Sequence, residues 1–267
     1  MARFEPHPER RPAVVTGASS GIGAATARAL AAAGHPVVLA ARRTAACEEL
    51  AAAIRADGGE AVALPLDLAD AAATARFAAA APSVLGPVEV LVSNAGQIQP
   101  ATALETSPET FESVLAVNLA NAHRLTAALA APMVERRRGD LVFVTSDAVA
   151  HPRPIMAAYV ASKWGLEGYA RALQMELEGT GVRTSVVQPG QTMTGMGLDW
   201  EPARVQAVVD EGVRWGFGRH DHFLKPQAVA DAVVFCVSAR RGTNYTTVQV
   251  HPEAPVRPPG SAGRDPQ

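Results

Sequence analysis

Short apolar runs separated by longer Ala-rich stretches constrain this chain more than any other feature. Ala13-Val14-Val15, Pro36 to Ala40, Ala61 to Leu64, Val88 to Val92, Leu141 to Val144 and Val182 to Val187 are apolar with little or no alternation. A strand that is apolar on both faces must be covered on both, so these runs read as strands of a parallel sheet. The stretches between them have helical length, including about Gly21 to Ala33, a long helix starting near Ser107-Pro108, and about Ala157 to Glu178. Gly34 is a natural helix stop, and Ser107-Pro108 joins a good N-cap to a proline tolerated at the first helical position. The pattern predicts an α/β fold: a single Rossmann-like doubly wound parallel sheet with helices on both faces. A final strand is expected within Tyr245 to Glu253.

The 267 residues suffice for one such domain, although length alone leaves two smaller ones open. Residues 1–10 are polar and contain proline, and residues 254–267 are rich in Pro, Gly and Arg; both read as flexible ends around a domain over 11–253. A net charge of −2 gives no electrostatic reason to expect nucleic acid or an anionic membrane as partner. Cys47 and Cys236 cannot form a disulfide framework and lack metal-ligand spacing, so no metal is expected. The amino terminus lacks a signal peptide's apolar stretch, and the apolar runs are too short to cross a membrane. A cytoplasmic protein is expected.

Thr16-Gly17-Ala18-Ser19-Ser20-Gly21-Ile22-Gly23 lies directly between the first strand and the first helix. A backbone that passes close to a pyrophosphate has no room for a Cβ, and a helix N-terminus points free N–H groups at the anion. Gly17, Gly21 and Gly23 meet the first need, Ile22 opens the helix, and the Ser19 and Ser20 hydroxyls add donors. The bland alternative is an ordinary Gly-rich turn; its place after the first strand favours the dinucleotide.

Further signals follow in order. Asn94-Ala95-Gly96 follows the fourth strand, Asn118 lies on the next helix, Ser146 ends the fifth strand, Tyr159 and Lys163 form Y-x-x-x-K, and Pro189-Gly190 follows the sixth strand. The turn has the form T-G-x-x-x-G-x-G, and over nearly the whole chain the sequence resembles the short-chain dehydrogenase/reductase family. The resemblance implies a nicotinamide dinucleotide along the strand ends. It places Asp67-Leu68 beside the adenine, Asn94, Ala95, Gly96, Pro189 and Gly190 along the cofactor, and Thr192 and Thr194 beside the nicotinamide carboxamide. It gives Lys163 the nicotinamide ribose hydroxyls, with Tyr159 alongside. Read as bare residues, Asp67 is equally a helix cap.

An acid at the end of the second strand would accept hydrogen bonds from ribose hydroxyls and repel an added phosphate. That position is Ala41, followed by Arg42-Arg43, whose guanidinium forks suit a phosphate; NADP(H) is the expected cofactor. Capping of a surface turn is the alternative for these arginines.

Tyr159 and Lys163 are four apart on one helix face. A phenol titrates near pH 10, and a neighbouring ammonium is expected to lower that value so that Tyr159 serves as acid and base. The chain holds two lysines, Lys163 and Lys225, against 22 arginines, which makes a lysine at this spacing an informative choice. Ser146 is expected to hydrogen-bond the substrate oxygen. By resemblance, Asn118 holds a water that passes protons to Lys163; the plain reading is a buried Asn satisfied by backbone. Asp147 and His151 flank Ser146, but no nucleophile elbow supports a hydrolase triad.

The segment over about 191–223, with its glycines, Met and aromatics, reads as an apolar lid. A small carbonyl or alcohol substrate is expected, in a carbonyl reductase or alcohol dehydrogenase. The alternatives are a catalytically silent dinucleotide-binding sensor or scaffold, and an epimerase or dehydratase on the same fold. The long Ala-rich helices resemble those that pair subunits in the family, so a homotetramer or homodimer is expected.

Overall fold

The computed structural model describes residues 4–195, 197, 200–217 and 222–256. The first three residues, 257–267 of the expected tail, and 196, 198, 199 and 218–221 of the expected lid lie outside them.

Seven strands form one sheet: β1 (Ala13–Thr16), β2 (Val37–Ala41), β3 (Ala61–Pro65), β4 (Val90–Ser93), β5 (Gly139–Val144), β6 (Val182–Pro189) and β7 (Thr247–Val250). Their order is β3-β2-β1-β4-β5-β6-β7, and every neighbouring pair is parallel. Every residue of β1, β2, β4 and β5 is buried, as apolarity on both faces requires.

The helices are α1 (Gly21–Ala32), α2 (Thr44–Ala56), α3 (Ala71–Leu85), α4 (Pro108–Leu115), α5 (Asn121–Glu135), α6 (Ala157–Glu176), α7 (Pro202–Arg214) and α8 (Pro226–Val237). One face of the sheet packs against Leu30 of α1, Ile54 of α2 and Val233 of α8. The other packs against Phe77 of α3, Leu125 and Met133 of α5, and Leu166 of α6. This is the expected doubly wound arrangement.

The long helix expected from Ser107 does begin there, with the Ser107 hydroxyl accepting from the Thr110 N–H at 3.2 Å. It is not continuous. A π-turn, Ala116–Ala120, joins α4 to α5 and carries Asn118 at its centre. Helices α7 and α8 were not anticipated from the sequence, and α6 ends at Glu176, two residues early.

After β3 the chain crosses back to β4, so β1 and β4 are neighbours from which connections leave in opposite directions. A crevice opens at the carboxyl ends of strands where the order reverses in this way, and ligands bind there.

Candidate active site

A cleft of about 1310 Å³ runs along that edge. It exceeds the ~300–1,000 Å³ typical of a site for one drug-sized ligand. Its walls include Arg42, Arg43 and Asp67 at one end, the glycine turn in the middle, and Ser146, Tyr159, Lys163, Pro189, Gly190, Thr192 and Thr194 at the other. Ser19, Ser20, Ile22, Leu68 and Asn94 to Gly96 line it too.

The turn is built on close backbone approach. Gly17 has φ +68°, and a Cβ there would lie 2.9 Å from the Ala95 Cα; a Cβ on Gly23 would lie 2.2 Å from the Gly17 carbonyl oxygen. Neither position admits a side chain. Thr16 and Asn94 hold the two strand ends together: the Thr16 hydroxyl accepts from the Asn94 and Ala95 N–H groups at 3.0 and 2.9 Å, and the Asn94 amide donates to the Thr16 carbonyl at 2.9 Å. Thr194 sits against Gly21 from the opposite wall.

Arg43 reaches over the turn and donates to the Ser19 hydroxyl at 3.1 Å and the Ser20 hydroxyl at 2.6 Å. Arg42 lies beside it on the cleft wall, and no acid replaces Ala41 at the end of β2. Asp67 accepts from the Ala69 N–H at 2.8 Å within its own loop, while the helix-capping role falls to Asp70, which accepts from the Ala72 N–H at 2.7 Å. This Cβ-free cradle beside an open helix end fits the pyrophosphate of a dinucleotide.

At the other end, the Tyr159 and Ser146 side chains line the same stretch of the cleft. The Lys163 amine lies 5.8 Å from the centre of the Tyr159 ring and donates to the Val144 carbonyl at 2.9 Å. Burial pulls the Lys163 amine down to about 8. Burial also raises the Tyr159 phenol above its ordinary value, with Asp147 adding to the rise while Ser146 and Arg153 oppose it. The expected lowering by Lys163 is therefore not what governs this phenol. Desolvation outweighs it, and Tyr159 is held in its protonated form.

Asn118 is fully buried. Its amide donates to the Gln97 carbonyl and the Ser162 hydroxyl, both at 2.9 Å, and its oxygen accepts from the Gln97 N–H at 2.8 Å. These are the bonds of the plain reading, a buried Asn tied largely to backbone. They also anchor Gly96 and Gln97 beside Lys163, since a Cβ on Gly96 would lie 3.6 Å from the Lys163 amine.

Two cleft residues outside the sequence-derived set stand next to Ser146. Asp147 takes the Ser146 hydroxyl at 3.3 Å on one carboxylate oxygen and the Arg153 guanidinium on the other. Arg153 in turn lies over the Phe217 ring, 5.0 Å from its centre. Ile155, between Arg153 and Met156, has φ +52°, a left-handed conformation that a β-branched residue adopts only under constraint. Its carbonyl accepts from the Ala101 N–H at 2.9 Å, pinning this loop across the cleft mouth.

A family model described as short chain dehydrogenase matches residues 11–204. The chain belongs to this family. Among curated relatives, the short-chain dehydrogenase is 32% identical over 238 residues to 2,3-dihydro-2,3-dihydroxybenzoate dehydrogenase of Bacillus subtilis, covering 88% of this chain and 91% of the relative. It is 34% identical over 227 residues to D-threitol dehydrogenase of Mycolicibacterium smegmatis, with 85% of each covered. Among solved structures, a metagenomic short-chain oxidoreductase in complex with NADP superposes with TM-score 0.77 at 33% identity, covering 92% of this chain and 98% of that one. The family is one of oxidoreductases that use nicotinamide dinucleotides. Among the described residues of this short-chain dehydrogenase, no helix is long and apolar enough to cross a membrane, and no three metal-ligating side chains gather.

Proposed function

We propose that this short-chain dehydrogenase uses NADP(H) to interconvert a ketone or aldehyde with the corresponding alcohol, with Tyr159 as acid and base. The observation that carries the reading is that Ser146, Tyr159 and Lys163 meet at the same strand edge as the glycine cradle, with the Lys163 amine 5.8 Å from the centre of the Tyr159 ring. Arg42 and Arg43 beyond the cradle, with no acid at the end of β2, support NADP over NAD. The NADP-bound structural relative supports it as well.

When bound, the dinucleotide supplies a hydride to a carbonyl carbon, or accepts one from an alcohol. In reduction, the Ser146 hydroxyl holds the substrate oxygen and stabilises its growing charge. Tyr159, held protonated by burial, donates its phenolic proton to that oxygen, which completes the alcohol. Lys163 sits within one helical turn of Tyr159, where its ammonium stabilises the phenolate left behind. Asn118 fixes the backbone beside that amine. Thr192, whose hydroxyl donates to the Gly190 carbonyl at 2.9 Å, and Thr194 border the reacting end.

The test is NADPH oxidation with a panel of ketones, run beside NADH and beside Tyr159→Phe. Turnover with NADPH is expected to exceed that with NADH. Tyr159→Phe is expected to lose turnover by about 10²- to 10⁴-fold, the range of a positioned proton donor, with cofactor affinity retained. Cofactor binding with no turnover by the wild type would favour a silent sensor.

A further inference from the structure

We infer that Asp147 and Arg153 form a recognition element for a hydroxyl group on the carbon next to the reacting one. The substrate class is then a vicinal diol in the oxidative direction and an α-hydroxy ketone in the reductive one. The inference rests on the redox reading above and deepens it.

Four observations carry it. The pair is mostly withdrawn from water at the reaction centre: the two side chains are 13% and 17% exposed and both line the cleft. An ion pair withdrawn from water is weakly favourable at best, so it needs a further reason in a wall that also holds the apolar Ile98, Met156, Trp200 and Phe217. The Asp147 carboxylate lies 3.3 Å from the Ser146 hydroxyl. Gauche oxygens on neighbouring carbons stand about a hydrogen-bond length apart, so a substrate whose reacting oxygen sits on Ser146 has its neighbouring hydroxyl within reach of Asp147.

Arg153 sets the charge of that hydroxyl's site. Unpaired, Asp147 would place a full negative charge beside an oxygen that becomes negative during reduction. Paired, the element is neutral overall and offers an acceptor on Asp147 next to a donor on Arg153. A hydroxyl satisfies both, since it donates and accepts at once. A substrate carboxylate would stand against Asp147, and a bare methylene would leave both partners without the hydrogen bonds that water had given them. The loop that presents Arg153 is held in strain at Ile155, and its guanidinium is backed by the Phe217 ring, so the fork cannot swing freely. Strain concentrated at a cleft is a mark of a functional constraint.

The experiment compares cis- and trans-1,2-cyclohexanediol with cyclohexanol on the full chain saturated with NADP⁺. Affinity is read by isothermal titration calorimetry and turnover by NADPH formation, for wild type and Asp147→Asn. Wild type is expected to favour at least one diol by about 10- to 100-fold in affinity, the worth of one hydrogen bond to a charged group. In Asp147→Asn that ratio is expected to fall to near one. Equal affinity for diol and mono-alcohol in the wild type, including no binding of either, overturns the inference. So does an Asp147→Asn variant that weakens both alike, because Asp147 would then only hold Ser146. If both alcohols are oxidised equally well, the redox reading stands and this inference falls; if the diol is bound selectively yet never oxidised, the redox reading fails instead.

Discussion

Lys163 stands almost wholly buried at the cleft floor. Burial lowers its amine from 10.5 to about 8, whereas the unfolded chain keeps that proton to near the ordinary lysine value. Between about pH 8 and the unfolded value, the unfolded state therefore binds more protons than the folded one, and stability rises with pH. Below pH 8 both states are charged and the penalty of burying the ammonium is present in full. Urea unfolding of the cofactor-free protein is expected to show this gain in wild type and not in Lys163→Met. The difference is about 3 kcal/mol across the window. Tyr159 acts in the opposite sense, since a raised phenol keeps its proton in the folded state at high pH, but both proteins retain it and it cancels. Superimposable pH profiles would mean that the amine is solvated.

At the scale of elements, α7 contrasts with every helix that covers the sheet, because none of its residues is buried. Side chains at its ends and in the flanking loop hold it over the cleft: Arg204 donates to the Pro100 carbonyl at 2.5 Å, and Phe217 packs beneath Arg153. Arg204→Ala is expected to raise the KM for the carbonyl substrate roughly 3- to 10-fold, the worth of one ordinary hydrogen bond, with less change in kcat. A fall in kcat at unchanged KM would show that α7 does not close over substrate. The same contrast explains what the sequence disclosed. Strands β1 to β6 and the glycine turn were legible because burial on both faces and a Cβ-free approach impose local patterns. Helix α7 does leave an apolar stripe, Val205, Val208, Val209 and Val213, which a reading of the whole segment as a lid passes over, and the apolar run Ala232 to Val237 of α8 fits a strand as well as a buried helix. The π-turn at Asn118 adds one residue to a helical turn and leaves no period to read. Asp147 and Arg153 are six residues apart across an irregular loop in which Ile155 is left-handed, a conformation that no β-branched residue announces.

Across the whole molecule, chemistry and anchorage occupy opposite edges of one sheet. At the amino ends of the strands, Asp140 is buried between Arg11 and Arg183, and Glu89 between Arg136 and Arg138. These pairs tie the segment before β1 to the far end of α8, where Arg11 also donates to the Val237 carbonyl at 2.8 Å. Helix α6 links the catalytic edge to the outside. Its inner face carries Tyr159, Lys163 and Glu167, while Ala161, Trp164, Gly168, Arg171, Ala172 and Met175 form an exposed stripe along its length. Trp164 is 53% and Met175 78% exposed, an unusual surface for a lone subunit, and the small residues between them let a second helix approach closely. We expect the stripe to pair with its own copy about a two-fold axis, as a self-complementary patch does. Light scattering at micromolar concentration should then give a dimer or tetramer for wild type and a smaller species for Trp164→Glu. Because α6 also positions Tyr159, dissociation should loosen that helix and lower kcat together with the mass. A wild type that is monomeric and active would remove the stripe from any part in assembly or catalysis.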